Sequence, residues 1–337
     1  MPRRPTTNKT KRTSVKKTAL PSVSFVATFY NKAPYIPTVL ASIKAQRGLG
    51  ATEYIFVDDG STDSSLAVLK KLTRGWPNCH VITQPNGGQT AANITGLQRA
   101  KHEFIKLWDG DDYAHPGLTA HLIHACEKLD ADYAFCDVVF GEHPVGTPWA
   151  TLAKWTVRHP LPTPRLLPQA LARVLRTPVT NPSGTVLRRS LLQKMGLPDA
   201  RIVIPDVYMS YTAALYGKIA ELPTPMAYAF KAVPGRLTHN QAQIRHDING
   251  AMACFYANQH HVLPYKVRRL IYRRVVGRAW LWARRHLGMS VFSPWAWYQL
   301  WARLNPFTPA PNGLFKYCQP FRQPPFKVRV SANLPLA

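Results

Sequence analysis

After a polar start, the first apolar block is Val23-Ser-Phe-Val-Ala-Thr28, a short run of mostly β-forming residues that predicts a buried strand. Ile36, Val39, Leu40 and Ile43 then recur three and four apart within Tyr35–Gln46, which predicts a helix with one apolar face. The unit repeats. Glu53-Tyr-Ile-Phe-Val57 reads as a buried strand, Asp58-Asp-Gly-Ser-Thr-Asp63 as a polar turn and Ser64–Leu72 as a helix. His80–Thr83 and Glu103–Trp108 predict two further strands around a helix at Gln89–Ala100. Strands and helices that alternate in this way predict an α/β fold with a mainly parallel sheet flanked by helices.

Beyond Gly141 the pattern changes. Residues up to Thr180 are Pro-rich and irregular, a linker or lid with one helix around Pro168–Arg176. Mixed elements resume over residues 181–247, including a helix from Asp206 to Tyr216 that Gly217 ends. After Pro264, apolar positions Val267, Leu270, Ile271, Val275, Ala279 and Trp282 return every three or four residues, while Arg268, Arg269, Arg273, Arg274 and Arg278 fill much of the remaining surface. That pattern predicts a basic amphipathic helix. No internal repeat is visible, and no uncharged apolar run reaches the length of a membrane span.

Composition adds one fact that matters, which is where the charge lies. The 337 residues are 46% hydrophobic, enough for a substantial core, and carry a formal charge of +26. Residues 1–20 hold 7 Lys/Arg and residues 264–337 hold 13, with no acid in either stretch, so the middle of the chain is only +6. The basic ends suit phosphates, either of nucleic acid or of an anionic membrane beside Trp280, Trp282, Trp295, Trp297 and Trp301. The Arg/Trp helices equally suit a cover over the rest of the chain or an oligomer interface. The five cysteines are scattered without a CxxC pair, which argues against a disulfide framework or a thiolate zinc site and fits a reducing compartment. The basic N-terminus has no apolar stretch before Pro21, so it does not read as a secretory signal.

Carboxylates at the C-terminal ends of strands face the crevice where open α/β sheets bind ligands. Two such clusters stand here, Asp58-Asp59 after one strand and Asp109-Gly-Asp111-Asp112 after another. Three carboxylates within four residues repel one another unless a cation sits among them, and a divalent ion bridging to a diphosphate answers that need. Taken alone, Asp109–Asp112 reads as a solvated acidic turn.

The clusters are not alone. The strings Val23-Ser-Phe-Val-Ala-Thr-Phe-Tyr-Asn-Lys32, Tyr54-Ile-Phe-Val-Asp-Asp-Gly-Ser-Thr-Asp63, Asn86-Gly-Gly88 and Phe104-Ile-Lys-Leu-Trp-Asp-Gly-Asp-Asp112, with Pro116, resemble the family-2 inverting glycosyltransferases in order, spacing and residue type over about 120 residues. The resemblance implies a GT-A (Rossmann-like) fold and a nucleotide-sugar donor. It implies that Thr28 and Tyr30 line the nucleotide base, that Asp59 accepts a hydrogen bond from it, that Asp109 lies near the ribose, and that Asp111 holds Mn²⁺ or Mg²⁺ against the diphosphate. The cation would neutralise charge on the leaving nucleoside diphosphate. Where many relatives have an Ala-Arg-Asn run after the Gly-Gly, this chain reads Ala92-Asn93-Ile94, with Gln89, Asn93 and Lys106 as polar substitutes or as surface and packing residues.

The same resemblance implies a catalytic base at Asp206, in Ile204-Pro-Asp-Val-Tyr-Met209, where Pro205 replaces a common acid; an ordinary helix N-cap is the plainer role. Within Phe230–His239, Arg236 is a candidate diphosphate contact and His239 a candidate metal or phosphate ligand. Thr180-Asn-Pro-Ser-Gly184 either lines the acceptor site or forms a plain turn.

The expected organisation is a disordered basic arm over 1–21, a nucleotide-sugar-binding half over 22–141, an acceptor half with the base over 142–263, and a basic, Trp-rich helical extension over 264–337. The expected activity is transfer of a sugar, from a UDP-sugar by default, to a glycan or lipid-linked hydroxyl with inversion. By family inference it belongs to cell-envelope polysaccharide or glycolipid synthesis, in the cytoplasm or at the inner face of the cytoplasmic membrane. The alternative is a nucleic-acid- or membrane-binding protein with a catalytically silent GT-A domain, although no recognised nucleic-acid motif is present.

Overall fold

In the computed structural model, residues 20–141, 146–147, 149–152, 154, 161–179, 181–230, 233 and 240–331 are described. The basic arm up to residue 19 and the two candidates Arg236 and His239 lie outside them.

The predicted strand–helix units are present, with ends within a residue or two of the expected ones. Strands β1 (Val23–Phe29), β2 (Thr52–Asp58), β3 (Cys79–Thr83) and β4 (Phe104–Asp109) run parallel in the order β3-β2-β1-β4. Helices α1 (Ile36–Lys44), α2 (Ser65–Leu72) and α3 (Gln89–Arg99) return the chain between them. Every residue of β1 is buried. The two-residue period sends Phe25, Ala27 and Phe29 into one core and Val26 into the other.

Beyond β4 the sheet becomes mixed. The next elements are β5 (Asp112–Ala114), α4 (Leu118–Leu129), β6 (Tyr133–Gly141), α5 (Trp149–Leu152), β7 (Arg165–Leu166), α6 (Ala170–Arg176), β8 (Thr185–Arg188), α7 (Arg189–Met195), α8 (Pro205–Tyr216) and β9 (Ile219–Phe230). The sheet continues β4-β8-β6-β9-β5, with β7 also on β9. β8 is antiparallel to β4 and β6, and β5 and β7 are antiparallel to β9, while β6 and β9 are parallel. The β6–β9 register slips at Asp137, where β9 carries Pro223 and Pro225, which have no N–H to give to a ladder. β6 lies between β8 and β9, so one sheet runs across the Gly141 position.

The remaining helices are α9 (Gln241–Gln259), α10 (Tyr265–His286) and α11 (Pro294–Leu304), followed by a 3-10 helix over Pro311–Arg322. α1, α2, α4 and α5 pack on one core, and α3 with α6 to α11 on the other. The basic helix after Pro264 is there, but its arginines are largely engaged by the protein itself. Arg269 donates to the carbonyls of Arg303 and Asn305, and Arg273 to those of Ala302 (3.4 Å) and Arg303 (3.0 Å), all at the C-terminus of α11. Arg274 donates to Arg176 O at 2.8 Å. Cations at helix-terminal carbonyls are favourable, and here they hold α11 against α10. Trp282 is buried against His286, Phe321 and Phe326, and Trp295 packs on Tyr298 and Tyr317. Of the tryptophans expected at a surface, Trp297 and Trp301 are the well-exposed pair, at 59% and 60%. No helix among the described residues is long and apolar enough to cross a membrane.

Candidate active site

The equal register of β1 with β2 and β4 brings three strand ends level, with Thr28 beside both Val57 and Asp109. Thr28 is buried, while Tyr30 projects beyond β1 at 40% exposure. Asp59 follows β2, its N–H donating to Phe29 O at 2.8 Å. Its buried carboxylate accepts from Gln84 Nε2 (2.8 Å), Gly87 N (3.0 Å) and Gly88 N (2.7 Å). Backbone N–H bonds to an ionised carboxylate are among the stronger ones, so Asp59 fixes the Asn86-Gly-Gly88 loop. The loop also rests on Gly60, where φ is +72° and an added Cβ would stand 2.8 Å from Asn86 N. Asp58 closes its own turn by accepting from Ser61 N at 3.2 Å.

Gln89, the next residue, donates from Nε2 to Asp109 Oδ1 at 2.8 Å. The Asn86–Gln89 segment therefore joins the two acidic clusters, a role that its polar character alone did not reveal. Gly110 is required by space: a Cβ there would meet Thr28 O at 2.6 Å and the Phe29 ring at 2.7 Å. Asp111 Oδ2 accepts from Lys32 Nζ at 2.6 Å, and both side chains are largely buried. Lys32 also stands 5.5 Å from the Tyr35 ring centroid. The sequence pattern included Lys32 in its first string but gave it no role. Asp112 takes a different path into the β5–β9 ladder, its carbonyl accepting from Trp108 Nε1 at 2.9 Å.

Asn181-Pro-Ser-Gly184 is a turn pinned to this acidic floor. Ser183 Oγ accepts from Asp109 N at 2.9 Å, Asn181 Nδ2 donates to Asp112 Oδ2 at 3.4 Å, and Asn181 Oδ1 accepts from Gly184 N at 2.8 Å. Beneath it, the fully buried Lys106 donates to Ser183 O and to Leu107 O (3.1 Å) and lies 4.8 Å from the Trp108 ring centroid. Burial brings its ammonium down to about 7, against smaller opposing effects of Cys136, Asp112 and Asp109.

Thr90 Oγ1 donates to Val203 O at 3.0 Å, which sets the start of α3 against the approach to α8. Asp206 is the second residue of α8; the N-cap is Ile204, so the capping role open to Asp206 is not the one it fills. Its Oδ1 accepts from Val207 N at 2.8 Å. Burial first, and the charge of Asp247 second, push its carboxyl up to about 7 against that N–H bond. Asp247 lies on α9, accepts from Gln243 Nε2 at 3.0 and 2.9 Å, and pairs with His246 Nδ1 at 2.9 Å.

Among the described residues no three His, Cys, Asp or Glu side chains are grouped to hold a metal ion. A single carboxylate that already attracts a cation nonetheless fits Mg²⁺ or Mn²⁺, which proteins often bind through one or two carboxylates plus the phosphates of a substrate. Asp111 meets that description.

A 117-residue stretch is 32% identical to the uncharacterized glycosyltransferase EpsJ of Bacillus subtilis, covering 35% of this chain and 34% of EpsJ. The chain therefore spans about a third of the length of that relative. A longer match, 27% over 217 residues, is to the uncharacterized glycosyltransferase alr2836 of Nostoc sp., covering 61% of this chain and 63% of the relative. Among solved structures, S. aureus TarS 1-349 in complex with UDP-GlcNAc superposes with a TM-score of 0.60 at 20% identity, covering 83% of this chain and 79% of that one. The mannosyltransferase PcManGT of Pyrobaculum calidifontis, in complex with GDP-Man and Mn²⁺, gives 0.54 at 18% identity over 90% and 87%. These two likenesses are of fold. Residues 24–196, just over half of the chain and the part that holds Asp59, Asp109 and Asp111, match the family model described as Glycosyl transferase family 2, and the chain belongs to that family.

Proposed function

We propose that this protein is an inverting, divalent-metal-dependent glycosyltransferase that moves a sugar from a nucleoside diphosphate donor, a UDP-sugar by default, to a hydroxyl acceptor. The observation that carries this is the convergence of Asp59, Asp109 and Asp111 at level strand ends, with the start of α3 tied through Thr90 and Val203 to the segment that leads into Asp206. Thr28, Tyr30 and Asp59 then meet the nucleotide base and Asp109 the ribose. Asp111 would hold Mn²⁺ or Mg²⁺, and the ion, when bound, neutralises charge on the departing diphosphate. Outside the described residues, Arg236 contacts the diphosphate and His239 adds a metal or phosphate contact. The UDP-GlcNAc and the GDP-Man with Mn²⁺ held by the two structural neighbours support the donor class.

Asp206 is the base. A carboxylate that binds its proton near neutrality accepts one from the acceptor hydroxyl as that oxygen attacks the anomeric carbon. The attack comes from the face opposite the leaving group, so a single displacement inverts the centre. The acceptor is a glycan or a lipid-linked sugar in cell-envelope polysaccharide or glycolipid synthesis, met at the inner face of the cytoplasmic membrane. Support for that location is the outer face of α11, where Trp297, Leu300, Trp301 and Leu304 are exposed at helical spacing.

The test is nucleotide-sugar hydrolysis across a panel, with Mn²⁺, Mg²⁺ or chelator, by wild type and Asp111→Ala. Metal-dependent release of one nucleoside diphosphate, lost in the variant, is expected. Silence across the panel, with no donor binding by calorimetry, overturns the proposal and favours a silent domain whose basic ends do the binding.

A further inference from the structure

The stretch after the Pro311–Arg322 helix runs back over the fold. Phe326 packs on Trp282 and Val328 on the same small cluster, Lys327 O accepts from Asn240 Nδ2 at 2.7 Å, and Ser331 Oγ donates to Ala200 O at 2.9 Å. Between them, Arg329 is clasped by its main chain: its N–H donates to Gln243 Oε1 at 2.6 Å and its carbonyl accepts from Gln243 Nε2 at 2.9 Å. Gln243 also binds Asp247, whose charge is felt at Asp206. The backbone of the stretch is thus fixed independently of the Arg329 side chain.

That side chain reaches the donor loop. Arg329 Nη2 donates to Asn86 Oδ1 at 2.7 Å, and a Cβ built on Gly88 would lie 3.4 Å from the same nitrogen. Gly88 N is on the Asp59 carboxylate, and Gln89 is on Asp109. An exposed guanidinium therefore stands against a segment that joins the two acidic clusters. One Nη2 bond leaves most of its five N–H donors for another acceptor.

Resting on the donor-site reading given above, we infer that residues 326–331 form a strap that walls the donor pocket, and that Arg329 contacts the nucleoside diphosphate. A guanidinium fork suits an acceptor-rich anion of this kind, whether it meets phosphate oxygens or base carbonyls. Arg329 is a specificity and positioning residue, and the donor loop is completed by a segment far away in sequence.

The test is calorimetric titration of the full chain with UDP and with GDP in Mn²⁺, using wild type, Arg329→Ala and Arg329→Gln, with melting temperatures alongside. Arg329→Ala is expected to weaken the preferred nucleotide about tenfold or more, the loss typical of a charge-assisted bond, at an unchanged melting temperature. Arg329→Gln keeps a polar side chain over Asn86 of shorter reach and removes the charged guanidinium. If Arg329→Ala also lowers the melting temperature, Arg329→Gln decides, by weaker binding or by none. Comparing UDP with inorganic pyrophosphate separates the two ends of the ligand: an equal loss for both assigns the contact to phosphate, and a loss for UDP alone assigns it to the nucleoside. Wild-type binding that neither variant weakens overturns the inference and leaves the proposed function standing. A wild type that binds neither of these nor ADP, CDP or dTDP overturns both.

Discussion

Lys32 and Asp111 meet as an ion pair at 2.6 Å, in the position where the family resemblance expects a divalent cation on the same carboxylate. The pair means that a metal reaching Asp111 meets an ammonium already there. Lys32→Gln is expected to tighten Mn²⁺ binding in the absence of donor, by several-fold in a calorimetric titration, because a competing charge is gone. Turnover with donor should fall, since the variant also removes a positive charge from the proposed diphosphate site.

Asp206→Asn is expected to lower turnover by about two to four orders of magnitude, the usual contribution of a positioned base, while nucleotide affinity stays within about twofold. As the proposed base Asp206 acts only when ionised, so the activity of the wild type is expected to rise with pH through about 7. Stability moves the other way. The folded pKa lies above the unfolded one, so the unfolded chain ionises first and stability falls as pH rises from about 4 to about 7. Asp206→Asn removes that penalty, and urea titrations should show a gain on the order of 4 kcal/mol at about pH 8 and almost none at about pH 4.

Gly110→Ala places a methyl 2.6 Å from Thr28 O, with backbone on one side and the buried Phe29 ring on the other. The Asp109–Asp111 turn must then lift from β1. A loss of about 1–3 kcal/mol in chemical denaturation is expected, with donor affinity falling alongside. Gly75→Ala is not a matched control despite its open surroundings, because its φ of +79° strains any side chain.

Trp297→Ser with Trp301→Ser removes the exposed rings of α11. Flotation with phosphatidylglycerol vesicles is expected to show at least a tenfold loss of bound protein, on the order of the apolar area removed. Nucleotide-sugar hydrolysis in solution and the melting temperature should not change. Equal flotation of variant and wild type would assign the outer face of α11 to another partner.

The first strands were legible because β1, β2 and β4 are short, mostly buried apolar runs, because α1 follows β1 with a clean 3.6-residue pattern, and because Asp59 and Asp111 follow strands that declare themselves. α9 was not legible for the opposite reason. It is buried nearly all round, with Gln243, His246, Asp247 and Asn249 among Ala251, Met252, Phe255 and Tyr256, so no polar face marks its period. The role of Lys32 and the bridge from Gln89 to Asp109 rest on contacts between residues 79 and 20 positions apart, which local pattern does not encode. The arginines of α10 were read from periodicity as the basic face of an amphipathic helix, suited to a membrane or to a cover over the rest of the chain; several have carbonyl partners at the end of α11 and at Arg176, and nothing in their own spacing points there.

Asn86 and Arg329 are separated by 243 residues. During synthesis the acidic clusters and the Asn86–Gln89 loop leave the ribosome long before the residue that will rest on them, at rates of about 5–20 residues per second. The nascent sheet therefore spends many seconds with its loop uncovered, and truncated products of translation retain the carboxylates without Arg329. The loop is completed only when a segment made 243 residues later arrives on it.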